Sequence, residues 1–128
     1  MVVDSDVQTL ETVATLLRVF SDAEICSFQT TADALEAFVA APDTFQMVIT
    51  DFNMPRLNAV DFRRHLQALA PGLKVFVITG SGMLTEENAK RSGFCGLLRK
   101  PFTLGALKRA MECAQSAPAT RTSLSGAI

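Results

Sequence analysis

The sequence predicts an α/β domain: an open, parallel, five-stranded sheet covered by helices on both faces. Three observations predict it. Short apolar runs recur along the chain, and each is followed by a segment of helical period. The clearest runs, residues 45–50 and 74–79, are apolar on successive positions rather than alternating, as strands buried on both sides are. The chain has 128 residues, enough for one domain with its own core, but only roughly half of what a closed eight-fold barrel requires. Right-handed crossovers then leave an open doubly wound sheet as the default.

Each element has its own justification. Residues 1–3, MVV, make a short strand that stops at Asp4. Apolar residues at 7, 10, 13, 14, 17 and 20 mark one face of a helix, with Ser5 or Asp6 as its N-cap. EICSFQ, residues 24–29, alternates weakly as a second strand. Thr31 is expected to cap an Ala-rich helix that Pro42 ends. FQMVIT, residues 45–50, is the third strand, with Asp51 directly after it. Phe62, Leu66 and Leu69 set a helix over 59–70, closed by APG. KVFVIT, residues 74–79, runs into the loop GSG. Thr85, followed by Glu86 and Glu87, opens a short polar helix that ends near Gly93. GLLRK, residues 96–100, is the last strand, before Pro101. Leu104, Leu107, Met111 and Ala114 line a final helix. From 115 to 128 the chain is rich in Ala, Ser and Thr without an apolar face. The expected organisation is therefore a domain over 1–114 and a flexible tail or linker over 115–128.

Composition narrows the function. A formal net charge of −1 and the lack of a basic run give no electrostatic support for nucleic acid or an acidic membrane surface. No apolar run approaches the roughly 18 residues of a membrane span, and no charged-then-apolar leader opens the chain. A cytoplasmic location is expected. Cys26, Cys95 and Cys113 are widely spaced without a CxxC, and read as small buried residues in a reducing compartment. His65 falls mid-helix, away from the strand ends, and reads as solvated rather than catalytic.

In such a sheet ligands bind at the carboxyl ends of the strands. The first strand ends on Asp4-Ser5-Asp6, the third on Asp51 with Asn53 two later, the fourth on Thr79 and GSG, and the fifth on Lys100-Pro101. Singly these are ordinary: an Asp after a strand is usually a cap or turn former, and a lone Lys is a surface charge. Together they put carboxylates, a hydroxyl and an ammonium on one rim. Crowded carboxylates repel unless a cation sits between them, and hard oxygen ligands suit Mg²⁺. A carboxylate beside the metal can attack phosphorus and form an acyl phosphate. A Lys ammonium and a Thr hydroxyl then meet the charge on the equatorial phosphoryl oxygens.

VVDSD, VITDFNMP, VFVITG and GLLRKPF resemble, in order and spacing, the receiver domain of two-component response regulators, of the hybrid-kinase or stand-alone type. The resemblance covers residues 1–114. It implies a flavodoxin-like (βα)5 three-layer sandwich with strand order 2-1-3-4-5. It implies Asp51 as phosphoacceptor, taking a phosphoryl group from a histidine kinase or phosphotransfer protein. Asp4 belongs to the acidic pair that holds Mg²⁺ with Asp51, and Asn53 donates its backbone carbonyl to the metal. Thr79 is the switch hydroxyl, Lys100 pairs with phosphate, and Pro101 follows in an often cis bond. Ser81 and the Asn53 side chain occupy positions that tune dephosphorylation. The family's fourth-helix, fifth-strand and fifth-helix face is a possible homodimer surface.

Three departures stand out. The second acid of the pair is Ser5, with Asp6 next door, so weak Mg²⁺ binding is expected. The aromatic switch position is Leu97, which removes the usual threonine–aromatic coupling. Asn58-Ala59 stands where Asp-Gly is common, in a turn expected to form regardless. The first two motivate an alternative: a pseudo-receiver acting as a phosphorylation-independent interaction or dimerisation module. A flavin carrier or small-molecule enzyme on the same fold has less support, because the chain has no Trp or Tyr and no phosphate-binding glycine loop.

Overall fold

Five parallel strands, β1 (Val2–Val3), β2 (Ser27–Phe28), β3 (Met47–Asp51), β4 (Lys74–Thr79) and β5 (Gly96–Arg99), form one sheet in the order β2-β1-β3-β4-β5. The structure is a computed structural model that describes residues 1–80 and 82–112. Helices α1 (Val7–Phe20), α2 (Thr31–Ala40), α3 (Ala59–Leu69) and α4 (Glu86–Arg91) connect successive strands, and residues 104–112 form α5. A 3₁₀ turn, Pro42–Thr44, precedes β3. The expected flavodoxin-like topology is present. Ser81, Cys113, Ala114 and the tail expected over 115–128 lie outside the described residues.

Successive strand residues feed opposite cores, as the pleat requires. Val48, Val75 and Val77 pack with Phe38 of α2, Phe62 and Leu66 of α3 and Ala89 of α4. Ile49, Phe76 and Ile78 pack with Leu10, Val13 and Leu17 of α1 and Leu107 of α5. Both faces of the sheet are therefore covered, which is why its strands read as continuous apolar runs. A fully buried Phe such as Phe62 contributes about 2–3 kcal/mol by transfer from water.

Several boundaries differ from the sequence reading. The second strand has two residues, not six, because β1 offers only Val2 and Val3 to pair with Ser27 and Phe28. Phe45 and Gln46 precede β3, whereas Asp51 belongs to it, paired opposite Ile78 because β4 runs on to Thr79. Lys100 lies just past β5. The cap of α2 is Thr30, not Thr31: Thr30 is extended, at φ −131° and ψ 150°, and its Oγ1 accepts from the Asp33 N–H. Thr31 is instead the first helical residue, and it is buried. Between α4 and β5 the chain turns at Gly93 with φ +97°, a left-handed conformation that glycine tolerates best.

Candidate functional site

Register decides which side chains meet. Val3 pairs with Thr50, so Asp4 and Asp51 emerge side by side at the carboxyl ends of β1 and β3. Asp51 is level with Ile78, Ile78 with Leu98, and Thr79 with Arg99. Lys100 thus leaves the sheet two positions further along than Asp51, and its long stem reaches back. Its Nζ lies 3.1 Å from Asp4 Oδ2 and 3.9 Å from Asp51 Oδ1. The structure therefore brings together Asp4, Asp51 and Lys100 of the expected site residues.

Both carboxylates are buried, Asp4 to 1% exposure and Asp51 to 8%. Asp4 Oδ1 accepts from the Asp6 N–H at 2.8 Å. Asp4 Oδ2 meets the ammonium as a charge but has no hydrogen-bond partner among the described residues. Burial pushes the Asp51 carboxyl above its ordinary value, and the negative charge of Asp4 pushes it further. Lys100 and the backbone N–H groups of Asn53 and Phe52 pull the other way without reversing it. The fold thus holds Asp51 where its charge is disfavoured, beside the buried Asp4 carboxylate.

That setting fits a divalent cation. Among the described residues no three His, Cys, Asp or Glu side chains converge into a metal cage. Mg²⁺ does not need one: it is held by one or two carboxylates plus water and phosphate oxygens. Asp4, whose Oδ2 makes no hydrogen bond among the described residues, and Asp51 meet that description. Asp6 does not join them. It caps α1, its Oδ1 accepting from the Gln8 N–H at 3.1 Å and its Oδ2 from the Thr9 hydroxyl at 3.0 Å. Ser5 is exposed between the two acids.

A family model described as response regulator receiver domain matches residues 1–112. The chain belongs to this family. Over 102 residues it is 30% identical to the transcriptional regulatory protein FlgR of Helicobacter pylori, covering 79% of this chain and 25% of FlgR. It is 29% identical over 92 residues to the chemotaxis protein CheY-3 of Vibrio cholerae, covering 66% and 71% of the two chains. A solved receiver domain from Clostridium thermocellum superposes with a TM-score of 0.81 at 28% identity, over 96% of this chain and 94% of that one. The chain thus spans about a quarter of FlgR but most of CheY-3.

The structure also locates the other expected positions among the described residues of this receiver domain. Thr79 is fully buried at the end of β4. Asn53 is exposed in the loop after β3, and the Lys100–Pro101 peptide bond is cis. Leu97 packs against the core shared with α3 and α4. Asn58 caps α3, its Oδ1 accepting from the Asp61 N–H at 2.9 Å, and Ala59 starts that helix buried, so the altered turn does form. The apolar cavity lined by Leu17, Ile25, Phe45 and Met47 lies at the opposite end of the strands, away from the acids.

Sequence reasoning missed three features of this rim. Lys100 lies nearer to Asp4 than to Asp51, which only register and stem length determine. Arg99 donates from Nη2 to the Leu84 carbonyl at 2.8 Å, tying β5 to the loop after β4. Thr31 donates from Oγ1 to the Leu57 carbonyl at 2.9 Å, tying α2 to the loop after β3. The adjacent pair Thr30-Thr31, of which only one can cap, was the available signal for the last of these.

Proposed function

We propose that this receiver domain accepts a phosphoryl group on Asp51 from the phosphohistidine of a histidine kinase or phosphotransfer protein. The observation that supports it best is the buried Asp51 carboxylate, its charge disfavoured by burial and by Asp4, with the Lys100 ammonium 3.9 Å from its Oδ1. In the transfer an Asp51 carboxylate oxygen forms the new O–P bond. The N–P bond of the donor breaks, and its electron pair stays on the imidazole nitrogen. Asp4, Asp51 and the Asn53 backbone carbonyl are the proposed Mg²⁺ ligands, and the ion, when bound, would offset charge on the carboxylates and phosphoryl oxygens. Lys100 then has two alternative partners, the resting acids and the phosphoryl oxygens. Thr79 offers its hydroxyl to the same oxygens. Asn53, by its side chain, and Ser81 are proposed to tune hydrolysis of the acyl phosphate.

Residues 1–114 are proposed as the receiver unit and 115–128 as a tail or linker; the family match over 1–112 supports the first. Phosphorylation is proposed to alter protein contacts at the face of α4, β5 and α5, including homodimerisation; Leu104 is exposed there. A cytoplasmic site of action accords with this, and no described helix is long and apolar enough to cross a membrane.

A second reading is a pseudo-receiver that docks or dimerises without phosphorylation. Exposed Ser5 in place of an acid, and Leu97 without a ring or hydroxyl, favour it. One experiment separates the two. The protein is incubated with Mg²⁺ and acetyl phosphate or beryllofluoride, and followed by intact mass and amide spectra, with Asp51→Asn as control. An adduct or spectral shift confined to the wild type supports phosphoacceptance. Silence from both proteins leaves the pseudo-receiver as the reading.

A further inference from the structure

The loop from Phe52 to Asn58 connects Asp51 to α3 and contains the carbonyl proposed to face the metal. Its start is tied to the sheet, where the Phe52 N–H donates to the Ile78 carbonyl at 2.8 Å. Its end is tied to α3 by the Asn58 cap. Between these, Asn53, Pro55 and Arg56 are exposed, and Arg56 takes φ +68°, left-handed for a residue with a Cβ. Such a conformation costs about 1–3 kcal/mol and persists only where neighbouring contacts over-determine it. Met54 and Leu57 pack their side chains against the core, and the side-chain hydrogen bond that reaches the loop backbone from another element comes from Thr31. Its side chain is 2% exposed at the first turn of α2, and its hydroxyl donates to Leu57, the residue after Arg56.

We propose that Thr31 is a positioning residue for the acceptor site. Its hydroxyl pins the Leu57 carbonyl and so holds the loop in the bend that presents the Asn53 backbone beside Asp51. Thr30 already caps α2 through its own Oγ1, so the Thr31 hydroxyl is not required by the helix. Its bond bridges residues 26 apart in sequence, and the oxygen it satisfies is partly buried. Leaving such an acceptor unpaired is costly. The proposal rests on the phosphoacceptor reading for what the loop is for, but not for the restraint itself.

Thr31→Val keeps the shape and removes the donor, Thr31→Ser keeps the donor and removes the methyl, and Phe38→Leu weakens α2 packing elsewhere as a stability control. Amide hydrogen exchange in metal-free buffer reads the loop directly. In Thr31→Val, residues 53–58 should exchange about tenfold faster relative to the sheet, and Mg²⁺ affinity by calorimetry should fall several-fold. Thr31→Ser should restore both, and Phe38→Leu should change neither relative to its own global stability. Loop exchange in Thr31→Val equal to the wild type would overturn the proposal, as would failure of Thr31→Ser to rescue it. If the wild type takes up neither Mg²⁺ nor beryllofluoride, the phosphoacceptor reading fails, and loop exchange still decides the role of Thr31.

Discussion

Lys100→Met is the sharpest test of how the acid pair is held. The substitution keeps the stem and removes the ammonium that lies 3.1 Å from Asp4 and 3.9 Å from Asp51. At an effective dielectric of about 20, attractions at those distances amount to ~5 and ~4 kcal/mol before desolvation is counted. Those two distances, laid end to end, place the facing carboxylate oxygens no more than 7.0 Å apart. Their mutual repulsion on the same scale is therefore at least ~2 kcal/mol once the ammonium is gone. Removing one member of a buried pair usually costs 3–5 kcal/mol, but the Lys100 side chain is 30% exposed and solvent screens part of it. A loss of about 2–3 kcal/mol is expected. For a chain of this length, a melting temperature moves about 4 °C per kcal/mol, so Tm should drop by about 10 °C at neutral pH without metal.

The sign with pH follows from Asp51. Its folded-state carboxyl sits above the ordinary value of 3.8, so the folded protein holds the proton more readily than the unfolded chain. Stability from this group is greatest at low pH and falls as pH rises through the window above 3.8. Removing Lys100 removes a downward pull and widens that window. The gap between variant and wild type should therefore narrow as pH is lowered toward 4. Added Mg²⁺ should raise the variant's Tm more than the wild type's, because the ion offsets charge the lysine no longer neutralises. Thermal melts followed by circular dichroism across pH, with and without Mg²⁺, test all three. A variant within a degree or two of wild type at every pH, or one that Mg²⁺ stabilises no more, would show that Lys100 does not hold the two carboxylates.

Three further outcomes are expected. Ser5→Asp puts a second carboxylate beside Asp4, worth ~1–2 kcal/mol to a divalent ion in a water-like dielectric, and should tighten Mg²⁺ binding about tenfold; calorimetry showing unchanged affinity would count against Ser5 as the weak point. Asp51→Asn removes the group whose charge the fold disfavours, so its urea midpoint relative to wild type should rise between pH 4.5 and pH 7.5 (about the carboxylate range and above it). A pH-independent difference would mean that the acid pair is already neutralised. Gly93→Ala forces a Cβ into left-handed backbone and into the Arg63 guanidinium, which also lies over the Phe94 ring. It should cost about 1–3 kcal/mol in urea unfolding, and adding Arg63→Ala should recover only the steric part. Full recovery would show that backbone conformation contributes nothing there.

Much of this domain was legible because its strands are buried on both faces and its helices are short and capped. KVFVIT matched β4 residue for residue, and Thr85 and Asp6 cap α4 and α1 as the capping rules require. What resisted reading were features set by a neighbour rather than by local composition. The second strand is as short as β1 allows, and Asp51 joins β3 because β4 is long enough to pair with it. Thr30 and Thr31 are chemically alike, and only the backbone angles separate the cap from the buried donor.

The site divides in the same way. By itself the sequence determined that Asp4, Asp51, Thr79 and Lys100 stand at strand ends, because apolar runs stop there. It also put Ser5, not a carboxylate, directly after Asp4. The tertiary structure sets how they meet: parallel register puts Asp4 beside Asp51 and staggers Lys100 so that it reaches Asp4 first. It also made Asp6 the cap of α1, its carboxylate oxygens taken by the Gln8 N–H and the Thr9 hydroxyl. The physical reason is range. Burial pattern and capping are local and written in neighbouring residues, whereas charge compensation depends on distances of a few ångströms between groups up to 96 positions apart.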